Sequence, residues 1–183
     1  MKNILLIFVM MTIVTLLESF RTPTKPDILL WSKELKLEKT DFIMVNSLPD
    51  NQLASITTGI CLNYNYQGTG AIRAYSFMSK HQSVILKNFF DKDNLREVLE
   101  HEKGHLDIAE YVTRLLNNRL MYVKDWKTAD KLFSDYSIDT VDVYQKLYDA
   151  ETEHYMNKSE QKRWNEKLKS MLDYSINIKI NPQ

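Results

Sequence analysis

Two histidines and a glutamate stand close together in the second half of the chain, in the segment His101-Glu102-Lys103-Gly104-His105. This is an HExxH motif, and its histidines are four residues apart. In a helix, two such side chains lie on one face, separated by about 6 Å along the axis and about 40° around it. Both imidazoles can therefore reach a single tetrahedral Zn²⁺, and the sequence predicts one zinc ion per chain at this motif.

Glu102 lies next to the first of these histidines and has the chemistry of a general base. Zinc lowers the pKa of a bound water toward about 7, and a nearby carboxylate can take the remaining proton and pass it to a leaving amine. We therefore predict that Glu102 is catalytic and that His101 and His105 bind the metal. Gly104 is unusual inside a helix, where glycine costs about 1 kcal/mol relative to alanine. Close approach of a backbone or a substrate would explain it, and so would tight helix packing.

A catalytic zinc normally takes a third protein ligand and keeps one position open. The extended motif that supplies this ligand from the same helix needs glycine and histidine where this chain has Ile108 and Tyr111. The segment 148–154, with the sequence YDAETEH, offers Glu151 and His154 on one helical face instead. We favour His154, because imidazole is the commoner ligand, and Glu151 would then orient a ligand or contact substrate.

Other polar residues of this segment have less definite roles. Asp149 is a further candidate: it could be the third ligand, orient a ligand, or bridge two helices. Tyr148 or Tyr155 could donate a hydrogen bond to an oxyanion, although tyrosines at helical spacing more often pack in the core.

The succession of motifs is more specific than HExxH alone. HExxH is followed by Tyr-Asp-x-Glu-Thr-x-His at 148–154 and then by Gln161-x-x-Trp164. This pattern resembles the bacterial secreted zinc-dependent proteases, a family catalogued largely as a domain of unknown function, and the resemblance extends from about Trp31 to Leu172.

The resemblance implies a zincin-like peptidase with three zinc-binding histidines and one catalytic glutamate. His101 and His105 would bind zinc, with His154 as the third ligand, and Glu102 would be the base. The chain departs from the family at Tyr155, where a glycine usually follows the last histidine.

The elements that must position these residues fall into two halves. Short segments rich in β-branched and aromatic residues predict strands at 28–32, 42–45, 55–66 and 71–77, with a further short strand at 83–86. The flexible residues 67–70 predict a hairpin turn. Apolar residues then recur at helical spacing, which predicts helices at 93–117, 128–133 and 139–154, and a last helix opened by a capping box at 157–160. The fold class is α+β, with an N-terminal antiparallel sheet and a helical half that carries the motif.

Composition limits the location and partners of the protein. The 24 basic and 24 acidic residues balance, so no net field favours nucleic acid, and the predicted partner is a peptide or protein substrate. Residues 4–17 form an apolar run that is short for a membrane span, and we predict a signal peptide at 1–19 and export to the periplasm or beyond. An uncleaved membrane anchor is the alternative; after cleavage no stable membrane association is expected. Residues 20–183 are predicted to form one metallopeptidase domain, and the lone Cys61 excludes a disulfide within the chain.

The sequence thus favours an exported zinc metallopeptidase. Two other functions fit the same motif: a zinc-stabilised binding module without turnover, and a zinc hydrolase of non-peptide amides such as those of the cell wall. An open fourth position at the metal would exclude the first, because a structural zinc is closed by four protein ligands.

Overall fold

The computed structural model describes residues 27–49, 52–66, 70–88 and 92–177, and the predicted signal peptide lies outside them. Within these ranges six strands precede four helices, which confirms the α+β class. The strands are β1 (Ile28–Leu30), β2 (Ile43–Val45), β3 (Ala54–Ser55), β4 (Thr58–Tyr66), β5 (Ala71–Ser79) and β6 (Val84–Leu86). The helices are α1 (Lys92–Leu120), α2 (Trp126–Ser134), α3 (Val141–Thr152) and α4 (Lys158–Asn177). A 3₁₀ turn spans Lys39–Asp41, and a π-helical segment at Asp135–Thr140 joins α2 to α3.

The strands form two three-stranded sheets. In the first sheet the order is β1-β5-β4, with β5 at the centre, and both pairs are antiparallel. β4 and β5 pair as predicted, while residues 67–69 of the predicted turn lie outside the described residues. In the second the order is β2-β6-β3, and here β2 runs parallel to β6 while β3 is antiparallel to it.

The strand predicted at 55–66 is divided between the two sheets. Its first part pairs with β6 and its second part with β5, and the main chain changes partner at Ile56 and Thr57. The amide of Ile56 donates to the Glu102 carboxylate at 2.9 Å, and the amide of Thr57 donates to Ser83 Oγ at 2.9 Å. The break in pairing therefore places main chain against the HExxH motif.

Helix α1 lies against the sheets and is the central element of the core. Alternate side chains of β5 are buried, from Ile72 to Met78, as expected for a strand with one covered face. The completely buried Val112 and Leu116 of α1 belong to the same core cluster as Ile72. On another side of α1, Ile108 packs with side chains of α3 and α4.

The ends of α3 and α4 determine the geometry of the site. α3 ends at Thr152, two residues earlier than predicted, and the next three residues have positive φ: Glu153 at 49°, His154 at 51° and Tyr155 at 77°. α4 begins as predicted, with Asn157 Oδ1 accepting from the Glu160 amide at 3.2 Å. Among the helices of the described ranges, none combines the length and apolar character needed to span a bilayer.

Candidate metal centre

Regular helix geometry brings the two motif histidines together. His101 and His105 lie one turn apart on α1, and their Nε2 atoms are 3.2 Å from each other. Both rings are buried, with 2% and 9% of the residue exposed. Their position on one face of the helix follows from the four-residue spacing, as predicted, and the packing of α1 places that face against the sheets and α3.

Asp149 of α3 supplies the third polar atom. Its Oδ1 lies 3.2 Å from His101 Nε2 and 3.0 Å from His105 Nε2. These three residues form the one group of three or more candidate ligands that the described part of the chain brings within 4.8 Å. At zinc–ligand distances of about 2.0–2.1 Å, two corners of a tetrahedron are about 3.3–3.4 Å apart. The observed triangle is close to one face of such a tetrahedron, so the residues fit a small divalent cation.

Each histidine has one glutamine side chain beside Nδ1, the ring nitrogen that points away from the triangle. Gln161 Oε1 lies 3.0 Å from His101 Nδ1, and Gln145 Oε1 contacts His105 Nδ1. The Gln145 amide nitrogen donates to the His105 carbonyl at 2.9 Å, which directs the amide oxygen toward the ring. Each histidine can therefore donate from Nδ1 to an amide and present the lone pair of Nε2 to the triangle.

The electrostatics of the triangle favour a positive charge at its centre. Burial opposes ionisation of Asp149, but the adjacent imidazoles of His101 and His105 outweigh burial and hold the pKa of this carboxyl well below its usual range. Burial likewise opposes a charged His105, but Asp149 and Glu102 outweigh it and raise the pKa of the imidazole. The negative charge of Asp149 and Glu102 would likewise stabilise a metal cation.

Glu102 lies beside the triangle and against main chain. It is 4% exposed, and its Oε2 accepts from the Ile56 amide. Burial raises the pKa of Glu102, and the neighbouring His105 and His101 oppose that rise. A carboxylate with a raised pKa next to a cation site can accept a proton more readily than an ordinary surface glutamate.

His154 lies next to the triangle, outside it. Its Nδ1 is 3.2 Å from Asp149 Oδ1, and its ring centroid is 6.3 Å from that of His101. The side chain is 38% exposed. The structure thus brings Asp149, rather than the favoured His154, to the third corner, because the left-handed turn after Thr152 directs residue 154 away from the helical position that the spacing assumed.

Glu151 is not at the site. Its Oε2 accepts from Trp164 Nε1 at 2.7 Å and from Arg163 at 3.1 Å, on the side of α3 that faces α4. The structure therefore corrects the expectation that Glu151 is a ligand, orients one or contacts substrate there: its carboxylate anchors the buried Trp164.

Tyr148 has a packing role. Its ring is completely buried and stacks on His101, with centroids 4.6 Å apart. The hydroxyl donates to the His101 carbonyl at 3.1 Å and does not face the cleft, so of the two roles considered for Tyr148 the structure supports core packing. A Cβ on Gly104 would lie 2.7 Å from Tyr148 Cζ, and tight helix packing thereby explains this glycine.

The triangle opens into a cleft of about 370 Å³. One wall is the main chain of residues 54–58, and the other is formed by the π-helical segment and α3, including Ile138 and Asp142. Glu102, Asp149 and His154 all line this cleft. A substrate in it would contact the candidate metal site and the candidate base together.

The contact of Gln145 with His105 was not predicted, although the spacing of Gln145 and Asp149 indicates it. Gln145 is four residues before Asp149, so both occupy the same face of α3 and both reach the HExxH helix. A polar residue one helical turn from a candidate ligand is the sequence signal for such a contact. Gln161 stood in the motif pattern, but without a role.

Comparisons with known proteins add no relative. No family model matches this chain, and no curated protein or solved structure matches it. The resemblance to secreted zinc-dependent proteases therefore depends on the motif residues alone.

Proposed function

We propose that the protein is an exported, zinc-dependent metallopeptidase. The observation that carries this proposal is the triangle of His101 Nε2, His105 Nε2 and Asp149 Oδ1, with edges of 3.0–3.2 Å, beside a buried glutamate in an open cleft. Nitrogen and oxygen ligands in this number, with room for one more, are typical of a catalytic zinc site.

The residues of the chain have distinct tasks in this proposal. When bound, zinc would supply Lewis acidity for a water molecule and a peptide carbonyl. Glu102 would take the proton from that water and deliver it to the leaving amine. Its Oε2 accepts from the Ile56 amide, so Oε1 is the oxygen that would take the proton.

Among the described residues no strand pairs with the cleft side of residues 54–58, and this edge favours a peptide as substrate. Leu86 donates to the Leu53 carbonyl, so Leu53 and Ser55 direct their polar groups toward β6. In an antiparallel ladder this direction alternates, and Ala54 and Ile56 therefore direct their polar groups to the cleft side. The Ile56 amide already reaches Glu102 on that side, which agrees with this alternation.

The same edge continues into the next strand. Ser79 donates to the Thr57 carbonyl, so the polar groups of Thr58 also point away from β5. An extended peptide can pair with such an edge through its own backbone, while a non-peptide amide of the cell wall offers no matching series of groups. Across the cleft, Ile138 is 63% exposed and offers apolar surface to a substrate side chain.

The decisive experiment measures metal content and hydrolysis on the same sample. Protein purified without chelator should contain close to one zinc per chain and cleave unstructured peptides, and a chelator should abolish cleavage until zinc is restored. The kcat/KM should rise with peptide length, because longer peptides pair with more of residues 54–58. Protein that neither contains nor takes up zinc would refute the proposal, and cleavage of cell-wall amides without cleavage of peptides would redirect it.

The proximity of His154 to Asp149 supports one rival, a zinc-stabilised binding module. If His154 moved to the fourth position, the site would have four protein ligands and no place for water. Cobalt substitution distinguishes the two, because the visible spectrum of Co²⁺ reports its ligands. A spectrum that stays the same in a His154→Ala variant would exclude the closed site.

A further inference from the structure

A line of hydrogen bonds joins the protein surface to one of the candidate metal ligands. Glu100 Oε1 accepts from Asn165 Nδ2 at 2.9 Å, Asn165 Oδ1 accepts from Gln161 Nε2 at 2.8 Å, and Gln161 Oε1 lies 3.0 Å from His101 Nδ1. The line starts at an exposed carboxylate on α1, passes through α4 and returns to the buried imidazole one residue further along α1.

The Glu100 carboxylate determines which group donates and which accepts in every hydrogen bond of this line. A carboxylate only accepts, so the amide of Asn165 must turn its nitrogen toward Glu100 and its oxygen toward Gln161. Gln161 must then turn its nitrogen toward Asn165 and its oxygen toward His101. The proton of a neutral His101 is consequently favoured on Nδ1.

Tyr148 reinforces the same direction. Its hydroxyl donates to the His101 carbonyl, so it can only accept from Gln161 Nε2, which lies 2.7 Å away. The amide nitrogen of Gln161 thus has two acceptors. Rotation of this amide by half a turn would place its oxygen against two acceptors, the Tyr148 hydroxyl oxygen and Asn165 Oδ1, and both hydrogen bonds would be lost.

The alternative tautomer of His101 has a partner of its own. His101 Nε2 is 3.2 Å from Asp149 Oδ1, so a proton on Nε2 could donate to that carboxylate. Such a proton would occupy the lone pair that a metal needs. Some contact must therefore oppose it if His101 is to be a ready ligand.

We propose that Gln161, oriented by Asn165 and Glu100, is a positioning residue that holds His101 in its Nδ1-protonated tautomer. The inference deepens the proposed metal site and depends on it for its functional meaning, while the tautomer itself can be measured without metal. Histidine ligands commonly donate their second ring nitrogen to a nearby acceptor, and the loss of that acceptor typically lowers metal affinity 10–100-fold.

His105 provides an internal control, because a separate glutamine serves it. Gln145 is oriented by the His105 carbonyl and by Thr58 Oγ1 at 3.2 Å, with no contact to the line from Glu100. A change at Gln161 should therefore remove the Nδ1 acceptor of His101 only, and a change at Gln145 should remove that of His105 only.

The experiment is side-chain ¹⁵N NMR of the metal-free protein at a pH where both rings are neutral. In the unmodified protein both histidines should be protonated on Nδ1. Gln161→Leu should transfer the His101 proton to Nε2 and leave the His105 tautomer unchanged. Gln145→Leu should transfer the His105 proton to Nε2 and leave the His101 tautomer unchanged. Gln161→Glu keeps an acceptor at this position and should restore the Nδ1 tautomer of His101.

Zinc titration of the same variants completes the test. Gln161→Leu should lower zinc affinity 10–100-fold, and Gln161→Glu should recover most of that loss. Asn165 is partly exposed, and its replacement leaves the contact of Gln161 with Tyr148 in place, so Asn165→Leu should lower zinc affinity less than Gln161→Leu does. This variant should remain folded and can replace Gln161→Leu if the latter does not fold.

Two results would overturn the inference: an Nε2-protonated His101 in the unmodified protein, or an unchanged His101 tautomer in folded Gln161→Leu. If the tautomers behave as expected but the unmodified protein binds no zinc, the positioning role stands and the proposed metallopeptidase fails. If zinc binds equally well to the unmodified protein and Gln161→Leu, the metal site stands and the positioning role fails.

Discussion

The two segments that meet at the candidate metal centre differ in regularity. The HExxH turn lies within a 29-residue helix, and each of its histidines is buried and supported by a glutamine. The opposing segment is the end of α3, where Asp149 is still helical and His154 lies in a left-handed turn. His154 is partly exposed, and its contact near the site is with Asp149.

This difference separates a preorganised helical part of the site from a strained turn at residues 153–155. Helical hydrogen bonds and close packing fix His101 and His105 before any ligand arrives. A left-handed conformation costs a non-glycine residue roughly 1–2 kcal/mol, and three consecutive residues adopt it here. Strain of this kind is typically found where a side chain has a functional task.

The largest expected effect tests the preorganised part. Glu102→Gln should lower kcat/KM for peptide hydrolysis by about 10²–10⁴-fold, because an amide cannot accept the proton of the attacking water. Zinc content should be unchanged, since the triangle does not include residue 102. Peptidase assays with parallel elemental analysis provide the measurement, and a fully active variant would contradict the assigned role.

The next effect compares the two segments directly. Asp149→Asn should lower zinc affinity by more than about 100-fold, because it removes a charge from a corner of the triangle, whereas His154→Ala should lower it by less. Glu151→Gln is the matched control, since its oxygen can still accept from Trp164 and should leave affinity unchanged. Competition with a chelator ranks the three variants. A larger loss in His154→Ala would return His154 to the third corner.

A smaller effect concerns the stability of the metal-free protein. The raised pKa of His105 means that its stabilising charge is complete below about pH 6.5 and is lost as the pH rises through the higher folded value. The raised pKa of buried Glu102 has the same sign, because the folded state prefers the protonated acid. The lowered pKa of Asp149 has the opposite sign: its contribution to stability is complete above about pH 4 and is lost only as the pH falls below that value.

Between about pH 5 and pH 9, the melting temperature of the metal-free protein should therefore fall by several degrees. Thermal unfolding followed by circular dichroism checks this, with Glu102→Gln expected to show a smaller fall. A melting temperature that rises across this range would show that these groups do not control the stability of the apo site.

The smallest effect tests the strained turn. Glu153 is exposed and has a φ of 49°, a conformation that glycine adopts without strain. Glu153→Gly should stabilise the fold by about 0.5–1 kcal/mol, and Glu153→Ala should not. Urea unfolding of the two variants measures the difference. If glycine destabilises the protein as alanine does, the turn carries no strain at this position.

The sequence alone determined those features that depend on regular local structure. The spacing of His101 and His105 places them one helical turn apart in any regular α-helix, and Glu102 necessarily accompanies them. Asn157 caps α4 because its side-chain oxygen reaches the amide three residues later, a purely local contact. The antiparallel pairing of β4 with β5 likewise follows from the short-range pattern of two strand segments that are close in sequence.

Tertiary structure alone decided which residue completes the triangle. Periodicity extended the third helix to residue 154 and so placed Glu151 and His154 on one face, but α3 ends at Thr152 and the chain reverses its helical sense. The contacts of His101 and His105 with Gln161 and Gln145 span 60 and 40 residues. No local spacing encodes such pairs, because they depend on how α1, α3 and α4 pack against one another.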